Sequence, residues 1–307
     1  MELQDFYKDL NFERDENRWY QWAQHREEIS GFIGKTISSP SDLGNAIILG
    51  AGNCDDLDFQ LLGTLFEAIT LSDIDGQAME EAVKRIDFLN LCREIHMIPN
   101  LDFTKLDQIH FYDRLERMLV QRASANEISL FLSLAAKEIR IKDVLSHLKR
   151  SFSMVISSAV YSQIFYIHVL SLFAKFTDRY SEKEVRYLMR GFIYLRDEVI
   201  KNYNDLMISL VKENGKVLVW TDILQTDVEM NREITEGLYN INTDQERWTY
   251  LRELVTMNGR EASLFGIADL SGKLADDGQL FHFWNWPFND ERQYLIFGIS
   301  GTPAKLL

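Results

Sequence analysis

Proline is scarce in this chain of 307 residues, with 4 in all, and glycine is modest at 16, which argues against long disordered linkers. Cysteine is scarcer still. Cys54 and Cys92 are the two present, without CxxC spacing, so neither a disulfide framework nor a cysteine-based zinc cluster is expected. A reduced, cytoplasmic setting follows as the plain reading. Positive charge is also short: 33 Lys and Arg stand against 47 Asp and Glu, a formal net charge of −14. Affinity for nucleic acid comes largely from cations neutralising phosphates, so nucleic acid is disfavoured as a partner. The opening stretch MELQDFYKDLNFERDEN is acidic and has no apolar core of a secretory signal. The most apolar run, 154–176, is interrupted by Gln163, His168 and several serines and changes period midway. It reads as a buried strand followed by a core helix, not a membrane span. The 6 histidines lie far apart, with no HExxH or similar ligand set, so no metal site is indicated. GxSxG and GxxxxGK[ST] are absent, which sets aside a nucleophile elbow and a P-loop.

Hydrophobic residues make up 46% of the chain, enough for a substantial core in one large domain or two. Helical spacing of Trp19, Trp22, Ile29, Phe32 and Ile33 marks an N-terminal helical segment over 1–40. A break at SPSDLGN opens the main domain, 41–307. There, strands alternate with helices: AIILGAG, AITLSDID, EIHMIPNLDF, FSMVISSAVYSQ and KVLVWTDILQ read as strands, and QLFHFWNWPF with RQYLIFGISGT as a terminal pair. Between the third and fourth strands, 104–150 is helical in pattern and large for a strand connection. It is expected to cap a site or to form a homodimer interface. The stretch SEKEV to VKENG reads as a helix that is either long or broken near Gly191. This order predicts an α/β fold: a doubly wound, mostly parallel seven-stranded sheet of Rossmann-like type.

The first strand ends in LGAGNCDD. Gly50 and Gly52 give GxG, a weak signal that gains from following a strand and preceding a helix. In a dinucleotide fold the pyrophosphate rests on that helix N-terminus. Asp55 and Asp56 would repel it. A ligand without phosphate and with a positive centre, such as S-adenosylmethionine, removes the conflict. The alternative is that Asp55 or Asp56 merely caps the helix. Asp73 ends the second strand, 21 residues after Gly52, where an acid typically accepts from ribose hydroxyls. It is expected at the sheet's edge, its removal sparing the fold.

These residues resemble the class I S-adenosylmethionine-dependent methyltransferases. The resemblance follows the order of elements over roughly 40–305 and is most specific over 45–103 and 152–163. It implies that Gly50, Ala51, Gly52 and Asn53 approach the methionine and ribose parts of the cofactor. It implies that Asp73 holds the ribose, that Ile74 packs on adenine, and that Asp102, with Phe103 beside it, accepts from the adenine amino group. The end of the fourth strand, with Ser157, would lie over the methyl group. The acid that the family often has before the first glycine is replaced by Ile48, leaving Asn53, Asp55 or Asp56 for the methionine ammonium. The sequence SSAVYSQ departs from the [DNS]PP[YFW] pattern, against nucleic-acid amino groups as acceptors.

Tyr161, just past the fourth strand, either faces the acceptor as a catalytic group or is a plain core tyrosine. His168, in an apolar helix, reads as a core histidine. The aromatic groups around Trp22 and Trp286 read as core or lid packing, or as the wall of an acceptor pocket. The expected activity is methyl transfer to a small molecule or peptide. A nicotinamide-dependent oxidoreductase and a non-catalytic cofactor-binding or interaction protein are the alternatives.

Overall fold

The computed structural model describes residues 17–37, 43–88, 94–258, 261–290 and 292–304. The helical reading of 1–16 and Cys92 lie outside these residues. Seven strands form one sheet: β1 (Asn45–Leu49), β2 (Ala68–Asp73), β3 (Glu94–Pro99), β4 (Phe152–Ser158), β5 (Val211–Thr226), β6 (Leu280–Pro287) and β7 (Gln293–Gly301). Their order is β3-β2-β1-β4-β5-β7-β6. The first five strands pair in parallel. β7 runs antiparallel between β5 and β6. The terminal hairpin expected from the sequence is therefore built into the sheet.

Helices cover both faces, and strand alternation decides which core each side chain joins. Ile47, Leu49 and Val155 face one core, Ala46, Ile48 and Ile156 the other. Both faces being buried, β1 reads as an apolar run rather than an alternating pattern. On the N-terminal side, α1 (Arg18–Gln21) leads into Trp22 and α2 (Ala23–Thr36), which join the second core, as do α3 (Phe59–Leu65) and α4 (Gly76–Phe88). The first core receives α5 (Phe111–Val120), α6 (Ala125–Ile141), α7 (Tyr166–Ala174) and α8 (Glu182–Leu210).

The 104–150 region is not an appendage. Leu115, Leu119, Ile128, Leu132 and Ile139 from α5 and α6 are buried in that first core. Ser124 and Glu127 close a capping box at the start of α6, and Ser181 with Glu184 does the same for α8. α8 runs unbroken for 29 residues. At Gly191 a Cβ would come within 2.9 Å of Leu132 Cδ1, so the glycine serves close contact between α6 and α8 instead of a break. Three helices occupy a stretch where the sequence reading marked none: α9 (Val228–Tyr239), α10 (Asp244–Asn258) and α11 (Glu261–Ser271). They bring Leu238, Leu251 and Leu270 onto the first core. Among the described residues, no helix is long and apolar enough to cross a membrane.

Candidate functional site

The register aligns Leu49 with Ser72 on one side and Ser157 on the other, so β1, β2 and β4 end at one level. Open α/β sheets bind ligands at the carboxyl ends of their strands, and the chain here turns back sharply. Gly50 has φ +78° and Gly52 φ +47°. Cys54, at φ +55°, holds a third left-handed position without being glycine. A Cβ on Gly50 would meet Val160 Cγ2 at 2.5 Å and the Ser158 carbonyl oxygen at 2.7 Å, so only glycine fits there.

Asp73 fastens this turn. Its Oδ2 accepts from Gly52 N at 2.8 Å and its Oδ1 from Asp75 N at 2.8 Å. Burial pushes the Asp73 carboxyl up to about 6, against the pull of these same bonds. An acid expected to stand loosely at the sheet's edge is thus the clamp between the glycine turn and the end of β2.

The capping reading of Asp55 and Asp56 is corrected. Asp58 caps α3, accepting from Gln60 N at 2.9 Å and Leu61 N at 3.1 Å. The left-handed step at Cys54 carries the two earlier aspartates away from the helix end. Asp55 pairs with Arg85 at 3.3 Å, and its carbonyl takes Arg26 Nη1 at 3.0 Å. Asp56 Oδ2 takes the hydroxyl of Ser158 at 2.6 Å. Burial raises the Asp56 carboxyl to about 6. Burial, then the charges of Asp56, Asp73 and Asp55, pushes the Cys54 thiol up.

A cleft of about 940 Å³, including its open mouth, lies over this turn. Gly50, Ala51, Gly52, Asn53, Asp73, Ile74, Asp102 and Phe103 all line it. Asp102 uses its carboxylate on its own loop, accepting from Thr104 N at 2.8 Å, Thr104 Oγ1 at 2.6 Å and Asp107 N at 3.0 Å. It nevertheless borders the cleft.

Two expected residues are elsewhere. Ser157 is fully buried beneath the site and bonds Tyr203 Oη at 2.8 Å. Its neighbour Ser158 lines the cleft instead, because successive strand residues face opposite ways. Tyr161 is corrected from catalytic candidate to core residue. It is 1% exposed, and its hydroxyl donates to Asn204 Oδ1 at 2.5 Å, behind the cleft wall. His168 is buried against Tyr112, as its core reading expects.

Sequence reasoning left Arg18, Ser158 and Gln163 unassigned, though all three line the cleft. It left Trp22 and Trp286 between core and pocket, and they border the cleft as well. The two indoles meet edge to face at 4.6 Å. Trp22 Nε1 donates to the Phe288 carbonyl at 2.9 Å, tying α1 and α2 to the end of β6. His25 stacks on Trp286 at 4.2 Å and 6°, and accepts from Trp284 Nε1 at 2.8 Å. Aromatic enrichment near both chain ends was the available signal; the pairing is nonlocal.

No protein-family model matches the chain, and no curated protein matches it. Solved structures do. The N-methyltransferase NodS of Bradyrhizobium japonicum is similar at 9% identity over 94% of this chain and 99% of its own, with a TM-score of 0.42. NodS in complex with S-adenosyl-L-homocysteine is similar at 10% identity over 90% of this chain and 86% of its own, TM-score 0.40. A SAM-dependent methyltransferase of Methanosarcina mazei is similar at 9% identity over 89% of this chain and 98% of its own, TM-score 0.42.

Proposed function

We propose that the protein is an S-adenosylmethionine-dependent methyltransferase acting on a small molecule or a peptide. The observation that carries this reading is the glycine turn locked to Asp73 in a cleft that is predominantly acidic. Asp55, Asp56, Asp73 and Asp102 line it, and among the described residues Arg18 is the one basic residue in that lining. A pyrophosphate would meet this charge at close range, whereas a cationic ligand is attracted by it.

The residues present fit S-adenosylmethionine. Each oxygen of Asp73 accepts one backbone N–H and keeps a lone pair for a ribose hydroxyl. Ile74 and Phe103 offer apolar surface to an adenine ring, with Asp102 beside them for its amino group. Gly52, where a Cβ would find only Asp73 Oδ2 at 4.0 Å, leaves the backbone open to close approach. Asn53 suits the methionine ammonium and Arg18 the carboxylate. Trp22 and Trp286 shield the acceptor end from water. When bound, the cofactor supplies an electrophilic methyl group on a sulfonium sulfur. The protein contributes placement of the nucleophile in line with that carbon.

Calorimetric titration with S-adenosylhomocysteine and with NADH tests the reading. Binding of S-adenosylhomocysteine with no heat from NADH is expected. NADH binding alone would overturn it in favour of an oxidoreductase. Mass spectrometry of the denatured protein, read for a co-purified nucleoside, gives the same answer independently.

A further inference from the structure

The glycine turn is a wall one chain thick. Behind it lies a second cavity of about 1580 Å³, including its open mouth. Among the described residues, Cys54 and Asp55 line this cavity and the cleft alike. With space on both sides, packing alone does not fix where the wall stands. Its backbone does not fix it either. Gly52 is conformationally permissive, and Cys54 is a non-glycine residue at φ +55°. Such a residue keeps that conformation only where its surroundings over-determine it.

Two guanidinium groups brace the turn from the back. Arg85 Nη2 donates to the Asn53 carbonyl at 2.7 Å and reaches Asp55 Oδ1 at 3.3 Å. Arg26 Nη1 donates to the Asp55 carbonyl at 3.0 Å. The two carbonyls stand on either side of Cys54. A peptide unit is planar, so a fixed C=O also fixes the N–H at its other end. The Asn53–Cys54 unit is held at both ends, by Arg85 at its carbonyl and by the Ala51 carbonyl, which accepts from Cys54 N at 2.9 Å. Both arginines line the second cavity and neither lines the cleft, whereas Asn53 and Asp56 line the cleft alone of the two.

The braces are themselves anchored. Arg26 is buried, lies over the Trp19 ring at 3.6 Å and donates a further bond to the Trp19 carbonyl. Its helix, α2, is tied to the terminal hairpin near both ends: His25 Nδ1 accepts from Trp284 Nε1, and Thr36 Oγ1 donates to Ser300 Oγ, each at 2.8 Å. Arg85 stands in the last turn of α4, whose Met79, Ala82 and Ile86 are buried in the second core. Resting on the methyltransferase reading, we propose that Arg26 and Arg85 are positioning residues for the cofactor. From behind, they set how far the glycine turn stands into the cleft, and so how closely it meets the methionine end. The N-terminal helices then take part in cofactor binding through Arg26, which touches no ligand.

The test is calorimetry with S-adenosylhomocysteine on the full chain, beside thermal melts of the ligand-free protein. Arg85 is partly exposed, so Arg85→Ala should fold, and its affinity should fall at least about tenfold. Guanidinium chloride at millimolar concentration should restore most of that affinity, and ammonium chloride at the same concentration should not. The guanidinium ion is the more weakly hydrated of the two and matches the vacated place in shape. Neither salt should change the wild-type affinity. Arg26→Lys keeps the charge but gives up one of two carbonyls, and should weaken binding as well; if it does not fold, the Arg85 arm decides alone. A merely structural role would lower the ligand-free melting temperature and leave affinity, measured below it, unchanged. That result, or recovery no better in guanidinium than in ammonium, would overturn the proposal while wild-type binding keeps the cofactor reading. Wild-type protein that binds no S-adenosylhomocysteine would overturn both.

Discussion

Replacing Asp73 with alanine should separate a ligand role from a bracing role. The substitution removes two carboxylate bonds to backbone N–H groups, each 2.8 Å long. With these bonds already counted, the carboxyl is still lifted from 3.8 to about 6, which leaves its ionised form roughly 3 kcal/mol less comfortable at neutral pH than in water, and alanine relieves that. Against the relief, two amides lose their acceptor at about 1–3 kcal/mol each. The ligand-free variant should therefore lie between about 1 kcal/mol more stable and about 3 kcal/mol less stable at pH 7. The folded protein holds the Asp73 proton more tightly than the unfolded chain. Wild-type stability from this group is then present at low pH and declines as pH rises from 3.8 through about 6. Alanine lacks the gain, so the substitution should cost about 1 kcal/mol more at pH 5 than at pH 7. Asp56 titrates in the same window but is common to both proteins and cancels in the difference. Urea unfolding at the two pH values measures this. Affinity for S-adenosylhomocysteine, read by calorimetry, should fall at least about tenfold, or about 1.4 kcal/mol. Unchanged affinity together with lost stability would refute the ribose role and leave Asp73 as a clamp alone.

Gly50→Ala places a methyl within 2.7 Å of the Ser158 carbonyl oxygen at a φ of +78°. It should destabilise the protein by at least about 1–3 kcal/mol and abolish S-adenosylhomocysteine binding, both visible in thermal melts with and without ligand. Tyr161→Phe removes one buried hydrogen bond to Asn204 and should cost about 0.5–1.5 kcal/mol in chemical unfolding while leaving S-adenosylhomocysteine affinity unaltered; a fall in affinity would return Tyr161 to the site.

The strands were legible because β1, β4 and β7 are short apolar runs between breakers, buried on both faces. The glycine turn and Asp73 were legible because their spacing is local. Side-chain direction was not. Ser157 and Ser158 are adjacent in an apolar strand with no polar alternation to tell inside from outside, and the second of them borders the cleft. The cap of α3 fell on Asp58 because backbone turns at Gly52 and Cys54 used up residues that the sequence presents as helix start. α9 to α11 escaped notice where their polar and apolar residues lack a clean stripe; α10, DQERWTYLRELVTMN, is the clearest case. The Trp22–Trp286 wall depends on tertiary pairing that no local pattern encodes.

The tie between Trp22 and Phe288 spans 266 positions. It gives the cleft an order of assembly. A ribosome emitting this chain releases the glycine turn and Asp73 early, yet the matching aromatic wall emerges only after β5 and the three helices beyond it. β7 must also slip between β5 and β6, so that edge of the sheet cannot close strand by strand. Long-range pairings of this kind fold slowly. The nascent protein should consequently present an acidic, half-walled groove for much of its synthesis, and acquire ligand-retaining ability in one late step rather than by degrees.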